Sequence, residues 1–184
     1  CVEFGFNHPE LVGGSGSNVA NLVLNKGWDY LLLDGDFENP EINLHKHYLT
    51  SENICDIFEQ YNVPKDAEYI SVDVDSCDLW LFKALVKEYR AKVYTVEYNG
   101  NYPIDAAITF PDDPTEHWEG DRGYGASLKA LTMVAQENGY SLVYVVGSLD
   151  AFFVRNDLLD DGELRSWPLE AWASMTNNTQ HFPM

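Results

Sequence analysis

Carboxylates recur where the apolar runs of this 184-residue chain end. Val2-Glu3-Phe4-Gly5 carries Glu3 and Gly5, and Leu31-Leu32-Leu33 runs into Asp34-Gly35-Asp36. Ile70-Ser71-Val72 runs into Asp73-Val74-Asp75, and the run from Val93 closes in Glu97-Tyr98-Asn99. In an open parallel sheet, ligands bind beyond the carboxyl ends of the strands, near the point where strand order reverses. Acids gathered there repel one another unless hydrogen-bond donors or a cation share the site. The chemistry open to them is recognition of a cationic or hydroxyl-bearing ligand, coordination of a metal, or removal of a proton. Asp73, Asp75 and Glu97 are a candidate ligand set for a magnesium-type ion, which takes oxygen ligands and keeps waters. The competing reading, favoured on sequence, gives Asp73 to an organic ligand and makes Asp75 a cap on the next helix.

Candidates for a general base are Asp75 and His8, followed by His45 and His47. The last two share one strand face and read more simply as a polar face touching solvent. The glycines Gly13, Gly14 and Gly16 form a second cluster. A dinucleotide fingerprint requires G-x-G-x-x-G in the first turn, whereas seven residues separate Gly5 from Gly13. A phosphate-free ligand bearing a sulfonium and a ribose suits this acidic, glycine-containing edge better than NAD does.

Strands and helices must hold these residues in place. The pattern predicts strands at residues 2–6, 30–33, 42–49, 69–75, 92–97, 142–146 and 151–154. It predicts helices starting at Ser17 or Asn18, at Thr50 or Ser51, after Asp75, and at Ala126. Four residues between the last two strands can close a hairpin but cannot hold a crossover helix, so that pair should be antiparallel. The expected architecture is one α/β domain over residues 1–184, with a core over 1–159 and a tail over 160–184. Its sheet should be mainly parallel, with Trp167 and Trp172 of the tail packing back on the body.

Composition supports a folded domain, at 45% hydrophobic and 14% aromatic residues. Thirty acidic against eleven basic side chains give a net charge of −19. That field disfavours nucleic acid and anionic membrane surfaces as partners and favours cations. Three scattered cysteines are too few for a disulfide framework. No run reaches membrane-spanning length. The chain starts inside an apparent strand, so residues upstream are expected; a cytoplasmic setting is weakly favoured, and oligomeric state is open.

The order of motifs resembles the FkbM-type S-adenosylmethionine-dependent methyltransferases. Val2-Glu3-Phe4-Gly5, Ser17-Asn18, Asn21-Leu22, Gly27-Trp28 and Leu32-Leu33-Asp34-Gly35-Asp36 look like that family's opening. Ser71-Val72-Asp73-Val74-Asp75 with Asp78 resembles its central strand and turn. Glu97-Tyr98-Asn99, Gly125-Ala126-Ser127-Leu128, Gly139-Tyr140 and Ala151-Phe152-Phe153-Val154-Arg155 continue the match. The resemblance implies a Rossmann-like class I methyltransferase fold with a C-terminal antiparallel hairpin strand. It also implies S-adenosylmethionine held by Glu3, Gly5, Gly14, Ser17, Asn18, Asp34, Asp36 and Asp73. In that scheme Asp34 accepts both ribose hydroxyls, and the methyl acceptor is a small-molecule or sugar hydroxyl. So few residues separate Asp36 from Ile42 that the crossover helix there should be missing and the third strand displaced.

Two other functions fit the same residues. One is a binding protein that keeps the fold without catalysis and uses its acidic surface for cations. The other is a metal-dependent nucleotide-sugar transferase, since Ile70-Ser71-Val72-Asp73-Val74-Asp75 also resembles an apolar run into D-x-D.

Overall fold

Runs of three to seven residues rich in Val, Ile, Leu and Tyr make strands too short to persist alone, and here they are held by neighbours in one sheet. The computed structural model describes residues 1–12, 17–160 and 169. In chain order these form β1 (Val2–Phe4), α1 (Ala20–Lys26), β2 (Leu31–Asp34), β3 (Leu44–Lys46), α2 (Ile54–Gln60) and β4 (Tyr69–Val72). They continue as α3 (Asp78–Glu88), β5 (Val93–Glu97), α4 (Leu128–Glu137), β6 (Tyr140–Val146) and β7 (Asp150–Arg155). The seven strands make one sheet in the order β3-β2-β1-β4-β5-β7-β6. β1 to β5 are mutually parallel, while β7 enters between β5 and β6 and runs antiparallel to both. The mainly parallel α/β sheet and its closing hairpin are therefore as expected. Trp167, Trp172 and Gly14 lie outside the described residues.

Alternation along the strands gives the sheet two unlike faces. One carries Phe4, Leu33, Val72, Val96 and Phe153, and α2, α3 and α4 cover it to form the main core. α3 packs between α2 and α4. The other face carries Leu32 and Leu44, which pack with Val19 and Val23 at α1. It also carries Glu3, Ser71 and Thr95, all buried. These three stand in one row across β1, β4 and β5, and Asn18 rests on that face, its Nδ2 donating to Ser71 Oγ at 2.9 Å.

Two sequence expectations change here. The third strand is not displaced: β3 pairs in parallel with β2, Leu32 opposite Leu44 and Asp34 opposite Lys46. It is also shorter than the predicted 42–49, at Leu44–Lys46. A single 3-10 turn, Pro40–Ile42, replaces the crossover helix. The Asn39 side chain accepts from Glu41 N at its start, and Asn43 adopts a left-handed conformation at its end. The shortcut works because strands of three or four residues require a return of only about 10–14 Å, within reach of residues 35–43.

Gly5 fixes the centre of the sheet's carboxyl edge. Its N–H donates to Leu33 O at 3.2 Å, and its φ is +77°. A Cβ there would sit 1.3 Å from the Asp73 carbonyl oxygen. Only a residue without a side chain lets β1 turn away while still touching β4. Gly5→Ala should therefore cost about 3–5 kcal/mol through strain and overpacking. Urea unfolding would measure it, and a midpoint unchanged from the parent would refute the close approach.

Candidate functional site

The strand register brings the predicted acids into one row. Phe4 pairs with Leu33 and with Val72, and Val72 with Val96. One residue further on, Asp34, Gly5, Asp73 and Glu97 stand side by side at the carboxyl ends of β2, β1, β4 and β5. Glu97 in turn pairs with Asp150, the first residue of β7. Neighbouring strands lie about 4.8 Å apart, so the row spans roughly 19 Å with Gly5 as its only gap. It crosses the β1/β4 boundary, where the sheet order reverses.

Members of the row differ in what satisfies them. Asp34, 6% exposed, accepts backbone N–H bonds from Asn7 at 2.6 Å, Asp36 at 2.7 Å and Phe37 at 2.9 Å. A carboxylate has about four acceptor positions, so roughly one is left. The expectation that Asp34 accepts two ribose hydroxyls is corrected accordingly: its turn already uses most of its capacity. Glu3 is similarly engaged. It accepts from the Ser17 hydroxyl at 2.6 Å, Asn18 N at 2.8 Å and Val19 N at 3.3 Å, closing the loop into α1. Ser17 Oγ also accepts from Val19 N and Ala20 N ahead of α1, but the N-cap position is Val19, with no side-chain cap, and not Ser17 or Asn18 as expected.

Further along the row the acids lack donors. Glu97, 5% exposed, leaves Oε2 buried with no hydrogen-bond partner, and Asp150 leaves Oδ1 the same. Asp78, fully buried at the start of α3, accepts from Val74 N at 2.7 Å through Oδ1 but leaves Oδ2 unpartnered. It follows that Asp75 is not the cap of α3. Asp78 reaches back to the turn instead, and Asp75, at a left-handed φ of 61°, is turned toward the cluster. One carboxylate oxygen from each of Asp73, Asp75 and Glu97 lies within 4.8 Å of the others. Among the described residues the ion pairs are Lys65–Glu88, Lys92–Glu68 and Arg155–Asp157, and none includes a member of this cluster.

Crowding without compensation shifts the protons. Burial, then the charges of Asp73, Asp78 and Asp75, pushes the Glu97 carboxyl up to about 11. Burial and the charges of Asp78, Asp75 and Asp150 hold Asp73 well above the usual carboxylate range. Burial alone raises Asp75. Asp78 is pushed up to about 6, chiefly by burial, and Asp150 to about 6 by burial and the Glu3 charge. The Tyr124 phenol is pushed up to about 12 by burial and by Glu97, Asp75 and Asp73, so it faces the same group.

Loops from later in the chain cover this end. Tyr98 OH donates to Gly147 O at 2.7 Å. Asn99, buried, donates to Arg122 O and Tyr124 O and receives Asn101 N. Tyr98 and Asn99 thus fasten the turn after Glu97, whose side chain meets Asp73 but keeps Oε2 without a partner.

No family model and no curated protein matches this chain.

The remaining candidates stand apart. His8 lies in an exposed turn, where its Nδ1 is bonded to Glu10 N at 3.0 Å. Asp36 is exposed. His45 stacks on Tyr61 at 4.5 Å, and His47 Nε2 lies 2.8 Å from Tyr61 OH, so that pair is a packed cluster away from the acids. The sequence reading left out Asp150 and Asp78 as site residues. An antiparallel strand presents its first residue where parallel strands present their last, and that rule points to Asp150. A cavity of about 900 Å³ lies at the opposite edge, among Cys1, Trp28, Tyr30, Tyr61 and Val63. A cleft of about 120 Å³ beside Ser76 and Cys77, lined by Tyr48, Ser51 and Asp112, is nearer the cluster.

Raised carboxyl pKa values have a definite sign. The folded chain holds protons that the unfolded chain releases near pH 4, so stability is lost as pH rises from about 4 through about 6 for Asp150. Without divalent ions the chain should melt higher at pH 5.5 than at pH 8. Asp150→Asn should raise Tm by about 2–4 °C at pH 8 and leave it nearly unchanged at pH 4.5. An equal shift at both pH values would detach Asp150 from this effect.

Proposed function

We propose that the chain is an S-adenosylmethionine-dependent methyltransferase of the class I fold, acting on a hydroxyl of a small molecule or sugar. The observation that carries this is the row Asp34, Gly5, Asp73, Glu97 and Asp150 at the reversal of strand order, with buried acceptor oxygens left unpaired on Glu97 and Asp150. Unpaired acceptors call for a ligand rich in donors or positive charge, and the acidity of the edge repels phosphate. An ammonium, a sulfonium and ribose hydroxyls meet that demand. The hairpin strand β7, inserted antiparallel beside β5, also agrees with the FkbM-type resemblance.

Within this reading each residue has a bounded task. Asp34 has room to accept about one ribose hydroxyl, its other positions holding the β2 turn rigid. Gly5 keeps β1 and β4 in contact, leaving the edge open above it. Asp73 and Asp150 supply the negative charge that a cationic ligand neutralises. When bound, S-adenosylmethionine supplies a methyl carbon activated by sulfonium, so transfer is an in-line displacement that releases a neutral thioether. The chain then has to align the acceptor and take its proton. Asp75 is better suited to that than His8, because burial brings its carboxyl closer to working pH, whereas the His8 ring is tied to its own turn.

A metal-dependent nucleotide-sugar transferase is a second reading. What favours it is that Asp73 and Asp75, the D-x-D pair, reach one cluster.

Calorimetric titration with S-adenosylhomocysteine tests the first reading directly. One site per chain is expected, with Asp34→Ala weakening binding by about 1–3 kcal/mol and Asp73→Asn weakening it without unfolding. A folded chain that takes up no S-adenosylhomocysteine, yet binds a uridine or guanosine diphosphate with manganese, would replace the first reading by the second.

A further inference from the structure

We propose that Asp73, Asp75 and Glu97 bind one hard divalent cation, of the magnesium or manganese type, at the carboxyl ends of β4 and β5. Its use in presenting an acceptor oxygen rests on the function proposed above; the cation site itself does not.

Spacing is the first argument. The three ligand oxygens lie within 4.8 Å of one another. On one ion at about 2.1–2.4 Å, oxygens opposite each other stand about 4.2–4.8 Å apart and neighbouring ones about 3.0–3.4 Å, so the three are close enough for small side-chain shifts to bring them onto one ion. The second argument is independent of the acidity: Glu97 is 5% exposed, and its Oε2 has no hydrogen-bond partner. A shared proton between Asp73 and Glu97 would satisfy one contact and leave Asp75 beside a negative pair. An ion engages all three carboxylates at once.

The surrounding structure holds these ligands in place. Asp78 accepts Val74 N and so shapes the turn that swings Asp75 inward. Gly125, at a left-handed φ of 52°, lies beside it, where a Cβ would meet Asp78 Oδ2 at an ordinary contact of 3.5 Å. The Asn99 clamp on Arg122 O and Tyr124 O holds the covering loop beside Glu97. Asp75 comes from a turn partly open to solvent, so three protein oxygens leave coordination positions for water or an acceptor oxygen. Such an ion would lower the pKa of a coordinated hydroxyl.

The test is titration of the full chain with magnesium, manganese and calcium chloride at pH 7.5 in 150 mM sodium chloride, read by calorimetry and by Tm. One saturable site and a rise in Tm are expected. Glu97→Gln and Asp75→Asn should each weaken binding roughly ten-fold or more, while Asp112→Asn, a surface control, leaves it unchanged. Glu97→Gln should fold as well as the parent without metal, because an uncharged amide replaces a carboxyl that the buried cluster already keeps protonated; Asp75→Asn, at a more open position, is the second check. No saturable binding, an equal Tm rise in both cluster variants and the parent, or the same rise with ammonium chloride at matched ionic strength would each overturn the site. Binding of the ion without S-adenosylhomocysteine would leave the cation site standing and remove the methyltransferase reading. S-adenosylhomocysteine binding without the ion would do the reverse.

Discussion

A single backbone contact, Gly5 against the carbonyl of Asp73, organises the edge of this sheet. With no Cβ at residue 5, β1 can leave the sheet at φ +77° while remaining in register with both β2 and β4. Everything functional depends on that register. It sets Asp34 on one side of the glycine and Asp73 on the other, about 10 Å apart across two strand spacings. It also points Glu3, Ser71 and Thr95 to one face, where Ser17 and Asn18 bond to Glu3 and Ser71. A bulkier residue would push the strands apart and break the row at its middle.

Acids along that row divide by what they bond to. Glu3 and Asp34 are largely satisfied within the fold, each taking three donors from neighbouring turns. Glu97, Asp78 and Asp150 each keep a buried oxygen without a donor. Native proteins leave few such groups, because each costs about 1–3 kcal/mol. Three of them at one end of one sheet make this edge the least self-satisfied part of the described residues. The positive φ of Asp75 in the same turn fits that pattern.

Much of this was legible in the sequence, and the limits have physical causes. Apolar runs ending in carboxylates located the strand ends, and the four-residue turn before Ala151 located the hairpin. Period and punctuation are local signals, and those elements obey them. Three features needed coordinates. The β2–β3 connection looked too short for a parallel crossover, because the usual rule assumes a helix and longer strands, whereas Pro40–Ile42 and three-residue β3 need less chain. Asp75 looked like a helix cap, because its position suits one; Asp78 wins by reaching Val74 N from inside the first turn. Which acids are satisfied depends on loops such as Tyr98–Gly147 and Asn99–Tyr124, which join residues dozens of positions apart. No spacing rule reveals such pairings. His45 and His47, adjacent on one strand face, belong to a Tyr61 cluster for the same reason.

The placement of β7 has a consequence for how the chain assembles. β6 is made before β7, yet it reaches the sheet only through β7, which lies between it and β5. During synthesis from the amino end, β5 therefore keeps an open flank, and β6 has nothing in the sheet to pair with, until the chain has passed residue 150. β6 can complete the sheet only once β7 lies against β5. The same pairing sets Asp150 opposite Glu97, so the acidic edge cannot be complete until the chain beyond residue 150 has been made and has joined β5.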